Sequence, residues 1–234
     1  MFLCEHPVHG CCALKIFVPQ AKPRVDAEIT LLRAIDCPTI VTLYECGSAT
    51  IRDAQCPFTL MEFVGGGSLR DRIQSGDLLS EDQTRQVVKS VSRAIHELWV
   101  RKKVHRDIKP DNILIGDPCR PVLIDFGVAR HLDLATMTAP GFAPGTRGYK
   151  SREHDSAIRC LTFKADVFSL GVTAFESMTG AHPFGFNQEV IDLGPPPPDI
   201  RSVVDCGDTF AVLLSQMMHP RAIMRPELAK LMEC

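Results

Sequence analysis

His105-Arg106-Asp107-Ile108-Lys109-Pro110-Asp111-Asn112, followed by Asp125-Phe126-Gly127, is the stretch on which the reading of this chain turns. It puts carboxylates, one amide and one lysine into short loops at fixed separations. Carboxylate and amide oxygens are hard donors of the kind that suit Mg²⁺, and a lysine ammonium is a compact point charge that can reach phosphate. A polar loop that only caps neighbouring helices is the plainer alternative for the same residues. Two short strand-like runs, Ile113-Leu114-Ile115 and Val122-Leu123-Ile124, flank a turn at Gly116-Asp117-Pro118 and hold the two motifs apart.

Upstream, residues 11–18 form an apolar run broken by Lys15, which predicts a strand. Val25, Ile29 and Leu32 then recur at helical spacing, and Cys37-Pro38 ends that helix. Residues 40–44 and 58–63 predict two more strands, and Gly65-Gly66-Gly67 breaks the pattern. Downstream, Ser80 with Gln83 fits a capping box for a helix through about residue 101, with Val87, Val91, Ala94, Ile95 and Leu98 as its apolar face. Residues 125–153 are a long segment rich in Gly, Pro and Thr, and such loops are usually functional or mobile. Helical patterns return at 166–179 and 208–218, and Pro195 to Pro198 predict a stiff extended connection. No internal repeat is visible. The class is therefore α+β: one domain over 1–234, with a small strand-rich lobe carrying one helix (1–64) and a larger, mainly helical lobe (65–234).

A chain of 234 residues, 45% apolar, is long enough to bury its own core. Its net charge of −2 gives no reason to expect nucleic acid as a partner. The apolar stretches fall far short of the roughly 20 residues needed to cross a bilayer. The start, MFLCEHPVHG, lacks the basic-then-apolar plan of a secretory signal, so an intracellular, cytoplasmic setting is expected. The cysteines make no CxxC pair and read as reduced thiols. Cys4, His6, His9 and Cys11 allow a zinc site, although structural zinc usually takes paired ligands from two separate places. Ordinary strand and turn residues are the alternative.

Written as HRDIKPDN and DFG, the opening stretch resembles the eukaryotic-type protein kinases of the serine/threonine branch, with HRDxxxxN matched at every fixed position. The resemblance runs from about residue 11 to 228. It implies a two-lobed kinase fold and transfer of the γ-phosphate of ATP, with Mg²⁺, to Ser/Thr hydroxyls of protein substrates. Such transfer demands positioning and charge neutralisation more than covalent chemistry. By this resemblance Lys15 holds the α- and β-phosphates, and Glu28 on the predicted helix holds Lys15. Asp107 accepts or orients the substrate hydroxyl's proton, and Lys109 steadies the transferring group. Asn112 and Asp125 are the Mg²⁺ ligands. Phe63 and Val64 fall at the hinge whose backbone meets the adenine ring, Met61 guards the pocket behind it, Glu62 belongs to the same nucleotide-binding set, and Ala13 and Leu114 pack on the two faces of the base. Leu32, Leu43, His105 and Phe126 fall on an internal spine anchored by Asp166, and Glu153 pairs with Arg225. Arg106 is placed to meet a phosphate on Thr136 or Thr138, and Thr146 has a structural or substrate-docking role.

One element of the resemblance is missing. The family's GxGxxGxV loop has no counterpart before Lys15, and Gly10 stands alone and too close to it. The resemblance thus leads to the expectation that a first strand and its loop are absent, with weaker nucleotide binding and slower transfer. Two accounts fit: a piece of a longer active kinase, or a degenerate kinase acting as a binding or regulatory module. A small-molecule phosphotransferase is a third reading, opposed by GTRGY, Glu153 and the Asp166 and Arg225 framework.

Overall fold

The structure is a computed structural model and describes residues 1–127, the backbone of 130–131, 145–154 and 161–234. Strands β1 (Phe2–His6) and β2 (Gly10–Ile16) form a hairpin whose turn closes at Gly10, with φ +67, a value that favours glycine. Helix α1 (Lys22–Arg33) follows and buries Val25, Glu28, Leu31 and Leu32 on one face. Strands β3 (Leu43–Ile51) and β4 (Ala54–Glu62) complete an antiparallel sheet in the order β1-β2-β4-β3.

The second predicted strand is corrected here. Residues 40–44 do not form it: Ile40 makes only an isolated bridge to Leu123, and the strand begins at Leu43. Two features hid it. Most of β3 is exposed, so no apolar run marks it. Its two-residue turn, Arg52-Asp53, adopts left-handed φ values of 47° and 64° without the Asn-Gly or Asp-Gly signal that such turns favour.

The remainder is mainly helical. Helix α2 (Leu69–Ser75), which sequence periodicity did not mark, starts from a Ser68/Asp71 capping box and ends at left-handed Gly76. Helix α3 (Glu81–Trp99) starts from the expected Ser80/Gln83 box, and all five expected core residues of its apolar face are buried. Strands β5 (Lys103–Val104), β6 (Ile113–Gly116), β7 (Arg120–Leu123) and β8 (Arg130–His131) form two short ladders, β5 with β8 and β6 with β7. Helix α4 (Phe163–Thr179) is buried on nearly all sides and packs on α3; α6 (Asp208–Met217) packs on α4 and α7 (Leu228–Met232) on α3, and the short α5 (Gln188–Leu193) buries Ile191. Glycine is required at position 171, where a Cβ would stand 2.9 Å from both Met217 and Met218. The small sheet is tied to the helical part by backbone bonds, Val41 N–H to Leu123 (3.1 Å) and Leu123 N–H to Thr39 (2.9 Å).

The cysteines among the described residues are free thiols. No described helix is long and apolar enough to cross a membrane. The zinc set Cys4, His6, His9 and Cys11 is not assembled: Cys4 pairs with Cys12 and Cys11 with Glu5, so strand alternation puts the two thiols on opposite faces of the hairpin.

Candidate active site

The His105–Asn112 stretch leaves β5 as a loop and ends in a short 3₁₀ turn before β6. Two backbone donations fix it. Asp166, in the first turn of α4, accepts from the N–H of His105 (2.8 Å) and of Arg106 (2.9 Å). Those bonds hold Arg106 at φ +71, a conformation costly for a residue with a side chain. Burial pushes Asp166 up to about 6, although both backbone donors pull the other way. Below it, the His105 ring packs edge-on against Phe126 at 5.0 Å, and Leu32 is buried in the same core. Burial holds His105 below the usual histidine range, so it is a neutral, structural ring.

Asp107 is the centre of the loop. One carboxylate oxygen accepts from the Thr146 N–H (2.9 Å) and hydroxyl (2.7 Å). The other lies 3.1 Å from Lys109 Nζ and accepts from Asn112 Nδ2 at 3.1 Å. Burial alone would raise this carboxyl, but the Thr146 bond and the Lys109 charge outweigh it and hold Asp107 below the usual range. Lys109 also donates to the Thr146 hydroxyl at 2.7 Å. Thr146 is thus a direct partner of both Asp107 and Lys109, where the sequence pointed only to a docking or structural role. The GTRGY run was its only signal.

Asn112 donates from Nδ2 to the Asp107 carbonyl as well, at 2.8 Å. Its amide nitrogen is spent on Asp107, which leaves the amide oxygen for a cation. Asp125 follows β7 at φ +60 with its side chain 41% exposed. Its Oδ1 accepts from Lys15 (3.3 Å) and from the Gly127 N–H (3.3 Å). Burial pushes Asp125 up, Lys15 and Gly127 pull it down further, and the net direction is down. Lys15 lies 3.9 Å from Glu28, whose side chain is 4% exposed. At Glu28 burial wins over Lys15, and the carboxyl stands above its usual range. Lys15 is therefore shared between two acids, one from α1 and one after β7, and leans toward Asp125. The donor set of Asp125 and Asn112, all hard oxygens, fits Mg²⁺.

Ala13 on β2 pairs with Met61 on β4, and Leu114 sits on β6, bridged to Ser68. Met61 and Val64 are buried, whereas Phe63 is 47% exposed. Glu62 differs from the others: its carboxylate is taken by Arg120 at 3.1 Å and its N–H donates to the Thr42 carbonyl at 3.0 Å, so neither is free for a ligand. Glu153 and Arg225 form the expected ion pair, with the Arg225 side chain fully buried. Sequence reasoning missed Arg70 of α2, which donates to Glu176 (2.7 Å) and to the Tyr149 hydroxyl (2.6 Å) and lies 3.4 Å from Asp111. Thr136 and Thr138 lie outside the described residues.

The family pattern described as "Protein kinase domain" matches residues 9–233. The chain belongs to the protein kinase family, on its serine/threonine side. It is 32% identical over 162 residues to a serine/threonine-protein kinase PknB of Mycobacterium leprae, covering 69% of this chain and 26% of the relative. It is 34% identical over 168 residues to a probable PknB of Bifidobacterium longum (69% and 24%). It is 27% identical over 204 residues to PknA of Mycobacterium tuberculosis (80% and 46%). The chain thus spans from about a quarter to under half of the length of these relatives. Protein kinases as a family use ATP and Mg²⁺.

Proposed function

We propose that this chain transfers the γ-phosphate of ATP to serine or threonine hydroxyls of protein substrates, in a cleft between a lobe of residues 1–64 and one of 65–234. The observation that carries this reading is Asp107: its carboxylate is held ionised and aimed by Thr146, Lys109 and Asn112, beside the Lys15, Glu28 and Asp125 cluster. The free cysteines fit a reducing compartment.

Asp125 and the Asn112 amide oxygen would hold Mg²⁺, which would supply positive charge to offset the negative charge developing on the transferred group. Lys15 supplies a positive charge to phosphate oxygens, and its contact with Asp125 loosens as it does so. Glu28 keeps the Lys15 stem from swinging out of the cleft. Asp107 takes the proton of the attacking hydroxyl, and its depressed pKa keeps it ready to accept across neutral pH. Lys109, already within reach of Asp107 and Thr146, moves its charge onto the transferring group. Ala13, Met61, Val64 and Leu114 offer the apolar walls for the adenine ring.

The test is transfer of labelled γ-phosphate from ATP with Mg²⁺ to a mixed protein substrate, with the folded Asp125→Ala variant as control. Label that appears with the parent and vanishes with the variant supports the proposal. A folded parent that binds nucleotide without transferring label overturns it in favour of a binding or regulatory module.

A further inference from the structure

The turn between β1 and β2 brings together His6 and His9, and Glu45 on β3 meets them, although β1 and β3 are not hydrogen-bonded neighbours. His6 Nε2 stands 3.3 Å from Glu45 Oε1. The His6 and His9 rings stack at 4.9 Å, and His9 stacks in turn on Tyr44 at 4.1 Å with the planes 3° apart. One ligand atom from each of His6, His9 and Glu45 lies within 4.8 Å of the others, and among the described residues no other such His, Cys, Asp and Glu group occurs.

We propose that His6, His9 and Glu45 bind a divalent transition-metal ion, Zn²⁺ foremost, that ties the β1–β2 hairpin to β3. Imidazole nitrogen and carboxylate oxygen bind Zn²⁺ at about 2.0–2.2 Å, so two ligand atoms on one ion stand roughly 4 Å or less apart. In tetrahedral geometry that spacing is about 3.5 Å, so closing from 4.8 Å takes somewhat over an ångström, shared between side chains as exposed as His9 and Glu45. Two nitrogens and one oxygen are a borderline set that suits Zn²⁺ better than Mg²⁺ or Ca²⁺. With three protein ligands, water completes the shell.

The turn sets the affinity. His6 Nδ1 accepts from the Val8 and His9 N–H groups, both at 3.3 Å, so the neutral ring carries its proton on Nε2, toward Glu45. The metal takes Nε2 and the ring proton moves to Nδ1, at the expense of those two long bonds. Binding is therefore weaker than at a preformed structural zinc site. The ion also lies on β2's own hairpin, upstream of Ala13 and Lys15, so it stiffens the strand that carries them.

Co²⁺ is the probe, titrated into the full chain after chelation and followed by absorption. The expected result is one Co²⁺ per chain with ligand-field bands, no thiolate charge-transfer band, and displacement by Zn²⁺. The His9→Ala/Glu45→Gln variant should bind at least about tenfold more weakly, whereas Cys4→Ser/Cys11→Ser should bind like the parent. His9, Glu45 and Cys11 are exposed and Cys4 is half-buried, and equal melting of parent and variants without metal checks their folding. Glu45→Gln alone provides the same test if the double variant melts early. No binding, a thiolate band, or unchanged affinity in the histidine and glutamate variants would overturn the proposal.

Discussion

At the scale of single residues, Asp107 and Thr146 are joined by two bonds to one carboxylate oxygen, from the Thr146 N–H and from its hydroxyl. The Thr146 hydroxyl bonds an ionised carboxylate, and bonds to charged groups are worth roughly 1.5–3 kcal/mol. Thr146→Ala should therefore lower kcat about tenfold or more, while Thr146→Ser keeps most of it. The acid limb of the pH–rate profile should move upward in the alanine variant, because the bond that helps to depress Asp107 is gone. Steady-state rates over pH test this, and an unmoved acid limb would count against the Thr146 role. Asp107→Asn should lower transfer by roughly 10²–10⁴. His154 offers a second test. Burial holds it down to about 4, and its Nδ1 accepts from the Ser151 N–H at 3.1 Å. A histidine depressed in the folded state binds fewer protons there than unfolded between pH 6.5 and 4, so its contribution is full above 6.5 and lost as pH falls to 4. Asp166, raised to about 6, works in the opposite sense over nearly the same window. Only a difference measurement isolates His154. The stability gap between the parent and His154→Asn should shrink by about 3 kcal/mol from pH 7 to pH 4. A constant gap in urea melts at the two pH values would refute it.

At the scale of elements, capping and close approach decide where segments start and how they pack. Ser80 both accepts from the Gln83 N–H and has its own N–H bonded by the Gln83 side chain. Ser80→Ala should cost about 1 kcal/mol in denaturant melts, with Ser80→Asp close to the parent. The Gly65–Gly67 connector lies against β6: a Cβ on Gly66 would stand 2.1 Å from the Ile115 carbonyl oxygen. That atom is backbone and cannot swing aside, so Gly66→Ala should displace β6 and with it Leu114. A loss of roughly 1–3 kcal/mol is expected, together with weaker binding of a fluorescent ATP analogue. An alanine variant as stable and as tight-binding as the parent would disprove the close approach. β3 shows the limit of reading elements from sequence. Its face is solvated, and its Arg52-Asp53 turn holds left-handed geometry because the Ile51 and Ala54 pairing demands it.

At the scale of the whole molecule, Arg225 joins the segment ending at Glu153 to the start of α4 and the chain's last helices. Its guanidinium pairs with Glu153 and donates to the carbonyls of Lys164 (2.8 Å) and His219 (2.8 Å). Lys164 returns a bond to the Arg225 carbonyl at 2.6 Å. Removing one partner of a buried, hydrogen-bonded pair leaves the other unmatched, at a cost of about 3–5 kcal/mol. Arg225→Ala should therefore lose a large part of a typical stability of roughly 5–15 kcal/mol. Arg225→Lys should recover little of it, since an ammonium cannot make the forked contacts. Chemical denaturation of both variants measures this, and a loss under about 1 kcal/mol for Arg225→Ala would overturn it.

The sequence by itself determined the α+β class, the capped helix α3 and the identity of the polar set Lys15, Glu28, Asp107, Lys109, Asn112 and Asp125. These are local facts: caps, periodicity and motif spacing are written within a few residues of one another. Long-range geometry was decided only by the tertiary structure. Thr146 meets Asp107 across 39 residues, and Lys15 meets Asp125 across 110. Arg120 claims the Glu62 carboxylate across 58 residues, and Glu45 meets the two histidines of a distant hairpin. Such pairings depend on how lobes and strands cross in space, and no pattern along the chain encodes them. The Cys4 and Cys11 thiols stood near His6 and His9 in sequence, yet strand alternation separated the two thiols. Proximity along a β-hairpin does not survive the pleat, which sends successive side chains to opposite faces.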